Sequence, residues 1–144
     1  MTTMILYRAA AVLLGLGTLG HTFGGMLATA RKRRQAGEEA DRVFIEMKAV
    51  RFNWRGADCT WYGFWMGNGL GVSALLLPVI VALWTLSGTA AAAAGPLLPL
   101  AFTITGCLVL LAVIGLRYFA VQVGAVFGVV AALSAAGAVL LAVG

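Results

Sequence analysis

Long apolar runs separated by short polar breaks dominate this chain, and their lengths predict four helices that cross a membrane. Residues 4–30 are apolar except for two strongly polar positions, Arg8 and His21. Residues 61–86, 96–116 and 121–143 carry no charged side chain. About 20 helical residues cross the hydrocarbon layer, so each run is long enough to span it. Pro78 falls inside the second run, where a helix packed among others accommodates a proline kink. Pro96 and Pro99 suit the first turn of the third helix. The uncharged stretch 87–95 reads as a short loop, and Arg117-Tyr-Phe119 marks the turn between the third and fourth spans.

Only residues 31–58 break the apolar pattern at length. Gly37 is placed to start a helix, with Glu38, Glu39 and Asp41 in its first turn and Lys48, Arg51 and Arg55 towards its end. That order complements the helix dipole. Val43, Met47, Val50 and Trp54 recur at helical spacing, flanked by Phe44. The segment therefore reads as an amphipathic helix in the membrane interface or beneath the bundle, or as a solvated connector. The expected architecture is all-α: an integral membrane four-helix up-down bundle in one transmembrane domain, 1–144. The connector helix between spans 1 and 2 is expected in the cytoplasm.

Composition strengthens the membrane reading. The chain is 62% hydrophobic and only 10% charged, whereas a soluble domain carries about a quarter charged residues. The net charge of +5 is local: every basic residue except Arg8 lies within 31–55 or at Arg117, and all acids lie between Glu38 and Asp58. Such a segment points to anionic lipid headgroups, not nucleic acid. The positive-inside rule then places 31–58 in the cytoplasm of a bacterial inner membrane, with both termini outside. Ala28-Thr-Ala30 has the form of a signal-peptidase site, but its basic cluster follows the apolar run instead of preceding it, which favours a retained span. Cys59 and Cys107 have no CxxC spacing and form no disulfide framework.

The densest pattern is Trp61-Tyr-Gly-Phe-Trp-Met-Gly-Asn-Gly-Leu-Gly71. Gly63, Gly67 and Gly71 align at i, i+4, i+8, the spacing that brings membrane helices close. Trp61, Tyr62 and Trp65 mark an interface belt. Gly20 and Gly24 flank His21, as Gly67 and Gly71 flank Asn68; Gly124 and Gly128 repeat the spacing in span 4. At about 1.5 Å per residue His21 and Asn68 fall at matching depth in antiparallel spans, so a tight hairpin is expected to turn them towards each other. Their pairing would serve either as interhelical glue or as a site that binds a polar ligand group or moves a proton. Metal or haem ligation has the least support, because His21 has no second ligand at metal spacing. Tyr62, Met66, Gly69 and Ser73 form another face of span 2. Arg51, Arg55, Asp58, Trp61, Tyr62, Trp65, Arg117 and Gln122 complete the candidates for a pocket open to the cytoplasmic leaflet. For each singly, snorkelling or belt placement is the simpler explanation, except for Asp58, an acid among Arg51, Arg55 and aromatics that is placed to orient a bound group.

The combination of Gly20-His-Thr-Phe-Gly24, Met47 to Gly56 (MKAVRFNWRG), Trp61-Tyr-Gly-Phe-Trp65 and Arg117-Tyr-Phe119 resembles a family of small, uncharacterised bacterial four-helix integral membrane proteins. That resemblance implies a fold and no activity. Size, four spans and a basic first connector also resemble the MAPEG family of membrane enzymes in glutathione and eicosanoid metabolism. Ala49, Arg51 and Asn53, with Arg117 and Tyr118, carry that more distant likeness, which implies glutathione-dependent chemistry. The patterns part at Gly56, where that family places a glutamate, and after Arg117, where a later tyrosine is missing.

Three functions compete. One is a non-enzymatic protein that binds lipid or a small lipophilic molecule, or acts as an accessory subunit, with homo-oligomers available through the glycine seams. Another is a membrane enzyme using His21 as acid/base and an arginine as anion clamp. The third is a small proton-coupled exporter, which would lack the usual intramembrane carboxylate. No cofactor follows from the sequence.

Overall fold

The computed structural model describes residues 1–32, 37–88, 95–118 and 121–143. Nearly all of this is helix. The first apolar run is α1 (Thr2–Leu19), a π-helical segment (Gly20–Leu27) and α2 (Ala28–Lys32) without interruption. The others are α4 (Trp61–Ser87), α5 (Leu98–Tyr118) after a 3-10 turn (Gly95–Leu97), and α6 (Val121–Val143). Four helices thus have the length and hydropathy of membrane spans, and α4 continues through Pro78.

The polar connector departs from the expected single helix. α3 covers Glu38–Ala49, with the acidic residues Glu38, Glu39 and Asp41 in its first turn and Lys48 in its last. Val50 is already extended, and a two-stranded antiparallel hairpin follows: β1 (Arg51–Trp54) and β2 (Ala57–Thr60). Arg55 and Gly56 both have positive φ, 54° and 91°, the backbone of a tight two-residue hairpin turn. Phe52 and Trp54 alternate with Arg51 and Asn53, a period of two that ends the helical pattern. Trp54 therefore belongs to a strand. In α3 it is Phe44 and Met47 that are partly covered, while Val43 and Val50 stay exposed. The basic cluster's Arg33 and Arg34, the loop 89–94 and Phe119 lie outside the described residues.

The contacts divide the chain into two units. One comprises Met1–Gly17 and Leu76–Gly144. Its core is Tyr7, Leu14, Leu83, Leu86, Leu108 and Val130, all fully buried. α5 and α6 form a helical hairpin so close that a Cβ on Gly115 would lie 2.9 Å from the Gly124 backbone. Farther along, Thr105 Oγ1 and Ser134 Oγ hydrogen-bond at 2.8 Å. The Tyr7 ring occupies the space over Gly137, and Val126 the space over Gly17, which lays α1 along α6. The other unit, Thr18–Leu75, holds the π-helical segment, α2, α3, the hairpin and the first half of α4.

Among the described residues, most glycines of the stripes read from the sequence do not lie where helices meet. A Cβ on Gly20, Gly24, Gly67, Gly71 or Gly128 would have nothing within 4 Å, and one on Gly63 would meet only Thr60 Oγ1. Gly124 does lie at a close approach, as do Gly17, Gly69, Gly115 and Gly137. GxxxG spacing puts two glycines on one face of a helix; which face meets a neighbour is a property of the packed structure.

Candidate functional site

In the unit Thr18–Leu75, Thr18, His21, Thr22 and Ser73 gather where the π-helical segment meets α4. Gly20, Gly24 and Gly25 make this stretch a weak α-helix former, and the backbone widens there: the Ala28 N–H reaches the Phe23 carbonyl, five residues back. π-helical geometry is rare and concentrates at functional sites. His21 sits in its first turn, half-buried, with Nε2 3.3 Å from the Gly69 carbonyl oxygen. A carbonyl only accepts, so Nε2 carries the proton of this bond. In the neutral ring Nδ1 is then left with its lone pair.

Thr22 adds a second link. Its Oγ1 lies 2.8 Å from the Thr18 carbonyl and 2.8 Å from Ser73 Oγ, and Ser73 Oγ lies 3.3 Å from the Gly69 carbonyl. Two hydroxyl protons serve these three contacts. Met26, buried, packs its thioether against Gly69 where a side chain would otherwise stand. The contact face of α4 is therefore Tyr62, Met66, Gly69 and Ser73. Asn68 is exposed and not the partner of His21. It lies about 100° around the helix from Gly69, and the absent side chain at Gly69 is what admits the Met26 thioether beside the His21 contact.

Nearer the start of α4, aromatic rings form two groups. Phe44 of α3 meets Tyr62 and Trp65 edge-on, at 6.2 and 5.7 Å between centroids, and the Lys48 ammonium lies 4.7 Å above Tyr62. Phe52 stacks on Trp61 at 4.6 Å, and Phe52, Trp54 and Trp61 each meet the Phe64 ring. Thr60 caps α4 by accepting from the Gly63 N–H at 3.0 Å.

On the opposite face of the hairpin Arg51 donates to Asp58, with Nε 3.1 Å from Oδ2. Asn53 Oδ1 accepts from the Gly56 N–H at 2.9 Å and braces the turn. The Arg51 hydrogen bond, with its charge, holds the Asp58 carboxyl below the usual carboxylate range, and Asp58 raises Arg51 in return. Because the folded-state value is depressed, the pair's contribution is complete above the ordinary carboxylate pKa of about 4 and is lost as pH falls through the lower folded value. The amide signals of Asn53 and Gly56 are therefore expected to hold constant from neutral pH down to about 5 and to move on further acidification. Asp58→Asn should remove that movement.

Asp58 is thus tied to Arg51, whereas Arg55 extends from the turn and makes no ion pair among the described residues. Arg117 and Gln122 belong to the other unit; both are exposed, and the Arg117 guanidinium lies 5.5 Å from the ring of its neighbour Tyr118. Cys59 is half-buried and Cys107 exposed. Among the described residues no three of His, Cys, Asp and Glu converge as a metal set. That unit also has an apolar groove of about 220 Å³ lined by Leu13, Ala125, Val126 and Val129, which offers no polar chemistry.

Comparison with protein-family models, curated proteins and solved structures finds no match.

Sequence reasoning placed His21 and the Tyr62/Met66/Gly69/Ser73 face but not their junction. The Thr18–Thr22 spacing of i, i+4 and three glycines within six residues were the available signals for a widened helix.

Proposed function

We propose that the chain is a multi-pass protein of a bacterial cell membrane that binds a lipid or small lipophilic molecule, whose polar end hydrogen-bonds His21. The four long helices support membrane insertion: only 22–33% of each most apolar window is buried within the protein. Leu75, Val81 and Leu110 instead point outward at 72%, 64% and 62% exposure. Surface of this kind is stable in lipid and not in water. An up-down bundle agrees with the α1–α6 and α5–α6 contacts. The charge distribution supports both termini outside and α3 with the hairpin in the cytoplasm.

The observation that carries the ligand reading is the His21–Gly69 bond inside a π-helical turn. It fixes the ring in a membrane span and leaves Nδ1 as an acceptor for a hydroxyl or N–H of an incoming molecule. Thr22 and Ser73 extend this polar strip, and the apolar surface around it suits a hydrocarbon tail. The resemblance to small bacterial four-helix membrane proteins agrees with the architecture and adds no activity.

Native mass spectrometry of the full chain released gently from membranes tests this proposal. The wild type is expected to carry a defined lipophilic molecule that His21→Ala loses. The accompanying loss of stability should be no more than about 2 kcal/mol, the scale of one polar contact between membrane helices. Retention of the molecule by His21→Ala, or a bare wild type, would sink the ligand reading and leave His21 as interhelical glue.

A further inference from the structure

The hairpin Arg51–Thr60 is the strongest feature outside the His21 site. Two strands of four residues are marginal alone in water, so their surroundings must contribute. The strand register gives the hairpin two unlike faces: Arg51, Asn53, Asp58 and Thr60 on one, Phe52, Trp54, Ala57 and Cys59 on the other. The polar face satisfies itself through the Arg51–Asp58 pair. The aromatic face continues into α4 without a linker, because Thr60 ends β2 and Trp61 begins the helix. Phe52 stacks on Trp61 and Trp54 meets Phe64, yet Trp54, Trp61 and Phe64 remain 56%, 48% and 43% exposed. This surface is thus contiguous with the start of a membrane span.

Depth is limited from both sides. Among the described residues no further strand pairs with either outer edge of the hairpin, and hydrocarbon does not tolerate open sheet edges. Half-exposed indoles are equally out of place in bulk water and favourable in the headgroup layer. Arg55 then adds a charge at the tip. A φ of 54° is found at asparagine, aspartate or glycine far more than at arginine. An unfavourable residue in a turn that asparagine would fill better suggests that the cation has a use there.

We infer that the hairpin is a lipid-surface anchor: its aromatic face lies in the headgroup–acyl boundary, and the Arg55 guanidinium at its tip binds the phosphate of an anionic phospholipid. This rests on α4 being a membrane span and is independent of any ligand at His21. Bidentate donation to phosphate is the strength of a guanidinium, and with Arg51 paired to Asp58, Arg55 is the hairpin cation with no ion pair among the described residues.

The test uses the full chain in neutral detergent, titrated with phosphatidylglycerol, phosphatidylcholine or free glycerol phosphate while the melting temperature is followed. Phosphatidylglycerol should raise the wild-type melting temperature more than phosphatidylcholine does, and glycerol phosphate should leave it unchanged. Arg55→Asn should melt at or above the wild type without lipid, because asparagine fits the turn, and should show a clearly smaller preference for phosphatidylglycerol, the rest coming from the other basic residues of 31–58. Arg55→Lys should keep part of that preference. In nanodiscs, brominated lipid should quench a share of the tryptophan emission that Trp54→Phe removes. Undiminished preference in Arg55→Asn would overturn the phosphate contact. Quenching of Trp54 by aqueous acrylamide but not by brominated lipid would overturn the anchor and assign the face to water or a protein partner. A stabilising effect of glycerol phosphate equal to that of the lipid would reassign the site to a soluble phosphate.

Discussion

Replacing Gly115 by alanine is expected to destabilise the protein by about 1–3 kcal/mol, the cost of forcing a methyl group into a close-packed contact. The new Cβ would lie 2.9 Å from both Cα and N of Gly124. Those atoms are backbone, so no rotamer change relieves the clash; α5 and α6 must move apart, loosening contacts such as Thr105–Ser134. Gly124→Ala should act alike, since its Cβ would meet the Leu116 backbone nitrogen at 2.7 Å. The double variant should cost less than the sum, because both substitutions open one interface. Gly106→Ala and Gly128→Ala are the controls. Each new methyl would have nothing within 4 Å, and alanine is the better helix former by about 1 kcal/mol, so these variants should be neutral or stabilising. Reversible unfolding in mixed micelles checks all five. Equal losses at Gly115 and Gly128 would mean that the α5–α6 approach is not as described.

Tyr7 should separate packing from hydrogen bonding just as sharply. It is fully buried, its ring lies against Gly137, and its hydroxyl has no hydrogen-bond partner among the described residues. Tyr7→Ala removes the whole ring from the core and should cost about 3 kcal/mol, the low end for loss of a buried aromatic side chain. The low end applies because lipid, not water, is the competing environment for much of the unfolded chain. Tyr7→Phe keeps the ring and deletes only the unsatisfied hydroxyl, whose burial costs about 1–3 kcal/mol. It is therefore expected to match or exceed the wild type in melting temperature. A clear loss in Tyr7→Phe would show that the phenol is hydrogen-bonded in the membrane.

The two predictions depend on features of different legibility. The four long helices could be read from the chain because a membrane span is a local property: each needs about 20 apolar residues, whatever its neighbours do. The acidic start of α3 and the aromatic start of α4 were equally local. The hairpin was less so. Its turn is Arg55-Gly56, not the common Asn-Gly, and the preceding Val43, Met47, Val50 pattern carries helical periodicity into the first strand. The Arg51–Asp58 pair was hidden with it, since only the strand register brings residues seven apart within bonding distance.

The partner of His21 could not be read from side chains, because it is the backbone carbonyl of Gly69. Counting depth brought the estimate to Asn68, one residue away, but one residue on a helix is about a quarter turn and points elsewhere. The π-helical widening shifts the phase of span 1 in the same way. Glycine spacing likewise named candidates without ranking them: Gly124 meets a neighbouring backbone, Gly128 meets nothing within 4 Å, and the motif containing both is the same.

Hydropathy and charge, which act residue by residue along the chain, by themselves determined the four long helices, the single polar connector and the few residues with chemistry to offer. Tertiary structure alone decided the hairpin register, the widened turn that carries His21 and the glycines at which backbones approach, because each depends on the phase of one segment against another.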